Sequence, residues 1–322
     1  MSAPPAIYLR LPNWIGDVCM SLPCLDTLLL SGIPVIACGR PWARDLLAGY
    51  GIADFLPMSG QWRKDRATVQ QHRRHHYRRC AGLLLPDSLS SAMVFRFAGI
   101  PCAGYRDDGR SLILRWPINK PAGKLHAVES WHGLTRQAMR RWGLESPLDA
   151  PPSRLNLLLN DEHRRQCELA LDQAGLRGRP FILIAPTATG LHHGKNKVWP
   201  FFDALTRRLQ EQGHLVAMCP PASEEAAAKR NAPTAIRIPP LALGAFATLT
   251  QLAEAVVCND SGVSHLAAAA HARQITLFGV TQRDRTGPWS DLAVCLGSDQ
   301  GWPGLDETEA SLARILSEPT LA

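Results

Sequence analysis

The feature that most limits what this chain can fold into is a repeated alternation of short apolar runs with helical patterns. AIYLRL, PVIACG, ADFLPM and CAGLLLP come first, and FILIAP, HLVAMCP, AIRIPP, AVVCND and QITLFGV follow, with QITLFGV read as the last strand. Each run suits a strand buried on both faces, and the segments between them carry apolar residues at helical spacing. Parallel neighbours need a crossover, usually a helix, so this alternation predicts an α/β fold built on parallel sheets.

Local signals refine the pattern. VCMSLPCLDTLLLSG predicts a helix interrupted early by Pro23, and NDEHRRQCELALDQAGL a helix started by Asn160 or Asp161. AGYRDDGRSLILRWPINKP is rich in turn formers and reads as a long loop with small strands. The Pro/Ser-containing stretch LESPLDAPPSRLNL separates two successive α/β halves. The expected domains are therefore 1–150 and 151–322, with the last helix packing back on the first domain. Two such halves imply a cleft, and ligands of these folds bind beyond the carboxyl ends of the strands.

Composition narrows the class. With 322 residues, 46% of them hydrophobic, the chain is too apolar to be disordered and long enough for two domains. The start MSAPPAIYLRLPN lacks the basic and apolar regions of a secretory signal, and no run approaches the ~18 apolar residues of a membrane span. A cytosolic protein is expected. The nine cysteines are scattered with no CxxC pair and read as reduced core residues. A net charge of +7 points to an anionic partner: nucleic acid, a membrane surface or a phosphorylated substrate.

Three strand-to-helix corners carry candidate chemistry. In VVCNDSGVSHLAAAA, residues 256–270, the strand stops at Asp260 and a helix starts within Ser261, Gly262, Val263 and Ser264. The free N–H groups and positive dipole end of such a helix form an anion site, and Gly262 lets a phosphate approach the backbone. The same residues would serve equally as an ordinary cap by Asp260 or Ser261 with His265 packed inside. APTATGLHHGKNKVWP, residues 185–200, is a second corner, where Lys195 or Lys197 would neutralise a phosphate. In LPNWIGDVCMSLP, residues 11–23, Asp17 follows Gly16 where the first strand turns into the first helix. One carboxylate facing a diphosphate site suits inverting sugar transfer, which needs a base for the acceptor hydroxyl and no acid for a diphosphate leaving group. The helix start favours the charged carboxylate and weakens the base unless apolar neighbours such as Trp14 and Ile15 offset it.

Other chemistries lack their motifs. There is no Asp-x-Asp to hold a divalent ion on a diphosphate, so Lys197 and helix N–H groups would balance that charge. GYGIAD, residues 49–54, lacks the third glycine of a dinucleotide fingerprint, and neither GxxxxGK[ST] nor GxSxG is present. The basic segment QWRKDRATVQQHRRHHYRRC, residues 61–80, holds seven Arg and Lys with one Asp, and suits either a solvated helix or a contact with anionic lipid through residues such as Arg63, Lys64, Arg73 and Arg74. Stacking aromatics are sparse there, which disfavours nucleic acid.

Taken in order, Gly16-Asp17 followed by Pro23, Lys197-Val198-Trp199-Pro200, NDSGVSHLAAAA and LFGVTQRDRTGP resemble glycosyltransferase family 9, the bacterial lipopolysaccharide heptosyltransferases. The stretch LPDSLSSAMVFRFAGIPCAGYRDDGR is more similar to the heptosyltransferase II branch than to heptosyltransferase I. The resemblance implies a GT-B fold of two Rossmann-like halves, the acceptor mainly on the first and ADP-heptose mainly on the second. It implies inverting transfer without metal or other cofactor from ADP-L-glycero-D-manno-heptose to a lipid A-linked inner-core oligosaccharide, at the cytoplasmic face of the inner membrane as a peripheral protein. By position, Asp17 would be the base, Thr187 and Lys197 would contact the diphosphate or departing sugar, and Glu224 or its neighbour Glu225 would bind the ribose. Leu241 would lie against adenine, and Asp260, Ser261, Gly262 and His265 would line the donor pocket. The loop TATGLHHGKN is longer than the heptosyltransferase I pattern, and Cys219-Pro220-Pro221 stands where the family often has glycines. The alternatives are a family member with another nucleotide sugar or acceptor, and a non-catalytic glycolipid- or nucleotide-binding protein.

Overall fold

The computed structural model describes residues 3–188, 191–192 and 194–318, and the chain divides into two compact units, Met1–Pro152 and Ser153–Ala322. The first unit contains β1 (Ile7–Arg10), α1 (Ile15–Met20), α2 (Leu22–Leu30), β2 (Val35–Gly39), α3 (Ala43–Leu46), β3 (Asp54–Pro57), α4 (Trp62–His76), β4 (Ala81–Leu84), α5 (Leu89–Phe97), β5 (Cys102–Tyr105), β6 (Trp116–Ile118) and α6 (Ala127–Arg141). Its strands pair in the order β3-β2-β1-β4-β5-β6, every neighbour parallel.

Local chemistry explains the breaks. The first helical stretch is two helices meeting at Ser21, because Pro23 occupies the opening turn of α2, where a missing N–H costs nothing. The hydroxyl of Ser21 donates to the Val18 carbonyl at 2.8 Å and so caps the end of α1. The turn-rich segment after residue 102 supplies two full members of the sheet, β5 and β6, with Arg110 buried between them and donating to the Tyr105 carbonyl at 2.8 Å. Tyr8, Ile36, Leu84 and Phe95 belong to the core on one side of this sheet.

The second unit contains α7 (Asp161–Gln173), β7 (Ile182–Ala185), β8 (Leu191–His192), β9 (Lys195–Asn196), α8 (Phe202–Glu211), β10 (Val216–Met218), α9 (Glu225–Asn231), β11 (Ile236–Arg237), α10 (Leu243–Leu252), β12 (Ala255–Asn259), α11 (Gly262–Ala269), β13 (Gln274–Phe278), α12 (Arg283–Thr286), β14 (Ala293–Gly297) and α13 (Leu305–Ser317). Asn160 caps α7, its side-chain oxygen accepting the His163 N–H at 2.9 Å. Six strands form a parallel sheet in the order β11-β10-β7-β12-β13-β14, while β8 and β9 make a small antiparallel hairpin. QITLFGV is therefore not the last strand: β14 pairs beside β13. Its sequence AVCLG sits at the sheet edge with every residue at least partly exposed, so it lacks the strongly apolar run of a central strand. The closing helix α13 packs against α8, β12 and β13 of its own unit.

Both sheets share one connectivity, two strands out to one side of the first strand and three to the other. That order reverses direction between β1 and β4 in the first unit and between β7 and β12 in the second. At such a reversal adjacent loops diverge and leave a crevice at the carboxyl ends of the strands. Asp17 follows β1, and Thr187 and Asp260 follow β7 and β12, so the predicted corners fall at these two places. Among the described residues, no helix is long and apolar enough to cross a membrane.

Candidate active site

In the first unit Asp17 lies in the opening turn of α1, with Gly16 and Val18 buried on either side. Its carboxylate has no hydrogen-bond or ion-pair partner among the described residues, and burial pushes its pKa up to about 6. Desolvation is the cause of the rise, although Trp14 itself is 74% exposed. A carboxylate with a raised pKa and no partner is a better proton acceptor than a capped one.

The loop ahead of Asp17 is held by Arg10, a residue the sequence reading did not single out. It is 7% exposed, and its guanidinium donates to the Asn13 side-chain oxygen at 2.6 Å and to the Leu11 and Cys38 carbonyls. Burial lowers its pKa, while the charge of nearby Asp65 opposes that shift. Asp65 in turn accepts the N–H groups of Ser59 and Gly60 at 2.8 and 3.0 Å, fixing the turn into α4. A second carboxylate, Asp26 on α2, is also pushed up to about 6 by burial.

The basic segment is a helix, and it divides the four cations named from the sequence. Arg63 and Lys64 are exposed at the start of α4, on the same sheet edge as Asp17. Arg73 and Arg74 lie ten residues on, about 15 Å along the helix. Arg73 is committed inward, its Nε donating to the Ala98 carbonyl at 2.9 Å, whereas Arg74 is exposed. His72 also turns inward, with Tyr8 at 2.7 Å and Asp54 at 3.1 Å.

In the second unit the organising residue is Asn259, fully buried at the end of β12. Its side-chain oxygen accepts the Trp199 N–H at 2.8 Å, and its amide nitrogen donates to the carbonyls of Ala185 and Thr187, each at 3.3 Å. One amide thereby ties the end of β7 to the Lys197-Val198-Trp199-Pro200 segment. Trp199 is 1% exposed, and its indole N–H donates to the Pro303 carbonyl at 2.9 Å. With its neighbour so anchored, Lys197 is half-buried and has no carboxylate partner among the described residues. The side chain of Lys195, the alternative anion partner, lies outside the described residues.

At the next corner the Ser261 hydroxyl accepts the Val263 N–H at 3.3 Å and starts α11. The N–H groups of Ser261 and Gly262 have no acceptor among the described residues. Asp260 and His265 are 8% and 5% exposed, so both are largely inside the unit. The Thr187 hydroxyl donates to the Glu224 carboxylate at 2.5 Å, bringing together residues from two different loops. Glu225 points elsewhere, into an ion pair with Arg237. Leu241 is half-buried just before α10. Among the described residues these loops therefore offer two amides with no acceptor and one ammonium, suited to a diphosphate, and the Glu224 carboxylate, able to accept from ribose hydroxyls. Among the described residues no group of three or more His, Cys, Asp and Glu side chains is gathered as a metal site.

A family profile described as Glycosyltransferase family 9 (heptosyltransferase) matches residues 67–312. Lipopolysaccharide heptosyltransferase 2 of Escherichia coli (strain K12) is 28% identical over 316 residues, covering 88% of this chain and 85% of that protein. The structure of E. coli ADP-heptose LPS heptosyltransferase II superposes with a TM-score of 0.77 at 24% identity, covering 97% of this chain and 98% of that one. E. coli heptosyltransferase WaaC with ADP superposes with a TM-score of 0.73 at 19% identity, over 96% and 99%. The two structural likenesses show the fold, the expected α/β class of two parallel sheets seen in GT-B heptosyltransferases.

Proposed function

The chain belongs to glycosyltransferase family 9, the heptosyltransferases, and from that premise we propose that it moves a heptose from ADP-heptose to the inner core of lipopolysaccharide, by inverting transfer that needs no metal. The similarity to heptosyltransferase 2 over most of both chains supports the acceptor class, and a structural neighbour that carries ADP supports the donor.

The observation that carries the mechanism is Asp17, a carboxylate with no partner among the described residues and raised to about 6 by burial. Ionised at neutral pH, it takes the proton from the acceptor hydroxyl as that oxygen attacks the anomeric carbon. The bond from that carbon to the diphosphate oxygen breaks, and its electron pair leaves with ADP. Attack opposite the leaving group inverts the anomeric configuration. The charge that develops on the diphosphate is met by the Lys197 ammonium and by the free N–H groups of Ser261 and Gly262, while Glu224, held by Thr187, takes the ribose hydroxyls. Asn259 orients the corner without touching the substrate. Arg63 and Lys64, exposed at the start of α4, face the acidic glycolipid at the inner membrane, with Arg74 farther along the helix.

The test is ADP release from ADP-heptose with a truncated lipopolysaccharide core as acceptor, followed by NMR of the new glycosidic linkage. Inverted configuration and full rate in excess EDTA are expected. Retention, loss of activity on chelation, or preference for another nucleotide sugar in a donor panel would overturn the corresponding part of the reading.

A further inference from the structure

Strands β12 and β13 lie side by side, about 4.8 Å apart, and their pairing runs on past the strand end, where the Asp260 N–H donates to the Leu277 carbonyl at 3.0 Å. The corner with Ser261 and Gly262 and the loop into α12 therefore leave the same edge of the second sheet together. They also share a face. Cys258, Thr276 and Cys295 stand in register across β12, β13 and β14, and Gln274, in step with Thr276, donates from its side-chain nitrogen to the Ser264 carbonyl of α11 at 3.0 Å. Val257, Ile275 and Leu277 alternate to the other face, in the core with Leu312 and Ile315 of α13. On the α11 face, burial pushes the Cys295 thiol up to about 11, the Arg283 guanidinium pulls it down and the Asp260 carboxylate pushes it up. Arg283 of α12 thus stands near the first turn of α11, on its side of the sheet.

The loop that carries Arg283 is fixed at several points. Gly279 packs under the Trp302 ring, and the Gln282 side-chain nitrogen donates to the Asp299 carboxylate at 2.8 Å. The Gly287 N–H donates to the Arg283 carbonyl at 2.7 Å, a turn so close that a Cβ at residue 287 would lie 2.8 Å from that oxygen. The Arg283 side chain itself is exposed and has no carboxylate partner among the described residues. Arg285 is exposed too, but two positions on it points roughly 200° around the helix, away from Cys295.

A diphosphate at this corner is short of positive charge. Lys197 supplies one ammonium, and Asp260, 8% exposed with no ion-pair partner among the described residues, offsets it. The N–H groups of a helix start carry only partial charge. As the bond to the anomeric carbon breaks, its electron pair stays on the diphosphate oxygen and adds a full negative charge there. We propose that Arg283 is the second cation of the diphosphate subsite, its planar fork pairing with two oxygens of the phosphate next to the sugar. This rests on the transfer reading above and adds to it the group that takes up the leaving-group charge.

Calorimetry of the full chain with ADP and with AMP isolates the second phosphate. Arg283→Gln should bind ADP roughly ten-fold more weakly or worse, and AMP within about two-fold of wild type, with an unchanged melting temperature. Arg283→Lys keeps the charge without the fork and should recover part of the loss. Arg285→Gln should bind both nucleotides as wild type does. With ADP-heptose, Arg283→Gln should lower kcat roughly ten-fold or more while KM rises less, because the charge it meets develops as the bond breaks. A wild-type chain that binds ADP but releases none from ADP-heptose would sink the transfer reading, and the comparison of ADP with AMP would still decide the role of Arg283. The proposal is overturned by wild-type ADP affinity in Arg283→Gln, by equal weakening of ADP and AMP, or by an Arg285→Gln variant that behaves as Arg283→Gln does.

Discussion

The side-chain oxygen of Asn259 accepts the backbone N–H of Trp199 at 2.8 Å across 60 positions of sequence. The same amide group donates to two carbonyls at the end of β7, so a single buried side chain sets the register of the loop that carries Lys197.

Replacing Asn259 by Ala should strand one buried N–H and weaken the anchoring of two carbonyls. A loss of about 2–3 kcal/mol in urea-unfolding stability is expected, with a higher KM for the sugar nucleotide and a smaller change in kcat. Unchanged stability would show that water replaces the amide.

Asp17→Asn should lower kcat by about 10²–10⁴-fold, the usual range for removing a general base, with ADP binding kept. For the native enzyme kcat/KM should rise with pH along a limb centred near the raised value of about 6. Asp26 shares that value, so Asp26→Asn is the control and should leave the limb in place.

The same carboxylate predicts a stability effect of opposite sign to its catalytic one. Its folded pKa of about 6 lies above the ordinary 3.8, so the folded state binds the proton more readily than the unfolded chain. Stability contributed by protonated Asp17 is present below about 4 and lost as pH rises through about 6. Because the group is partly solvated, Asp17→Asn should stabilise by only about 1 kcal/mol at pH 8 and by nothing measurable at pH 3.5, read as melting temperatures at the two pH values.

Glu224 and Glu225 are adjacent but face different partners, Thr187 and Arg237. Glu224→Gln should raise the donor KM about ten-fold, and Thr187→Val should do so more weakly. Glu225→Gln should leave donor kinetics within two-fold, roughly the scatter for losing an exposed ion pair. Equal effects of the two glutamine variants would remove the ribose assignment.

Gly279 packs under an indole: a Cβ there would come within 2.0 Å of the Trp302 ring. Gly279→Ala should therefore cost about 1–3 kcal/mol through forced repacking behind the LFGVTQRDRTGP segment, measured by thermal unfolding. Pairing it with Trp302→Leu should recover part of that loss.

The strands, most helices and the three corners were legible in the sequence, because apolar periodicity, proline placement and capping residues act over a few positions of chain. AVVCND running into SGVSHLAAAA needs no distant partner to predict a buried strand and a capped helix. The edge strand AVCLG was not legible, since its half-exposed residues carry no strong run. Tertiary structure alone decided the chemistry of the sites. It selected Glu224 over Glu225 as the partner of Thr187, made Asn259 the staple between β7 and the Lys197 loop, turned Arg73 inward, and raised the Asp17 pKa by burial. The reason is physical: desolvation and hydrogen-bond partnership depend on which segments, tens of residues apart, are packed beside a group, and that is set only when the sheet closes its order around β1 and β7.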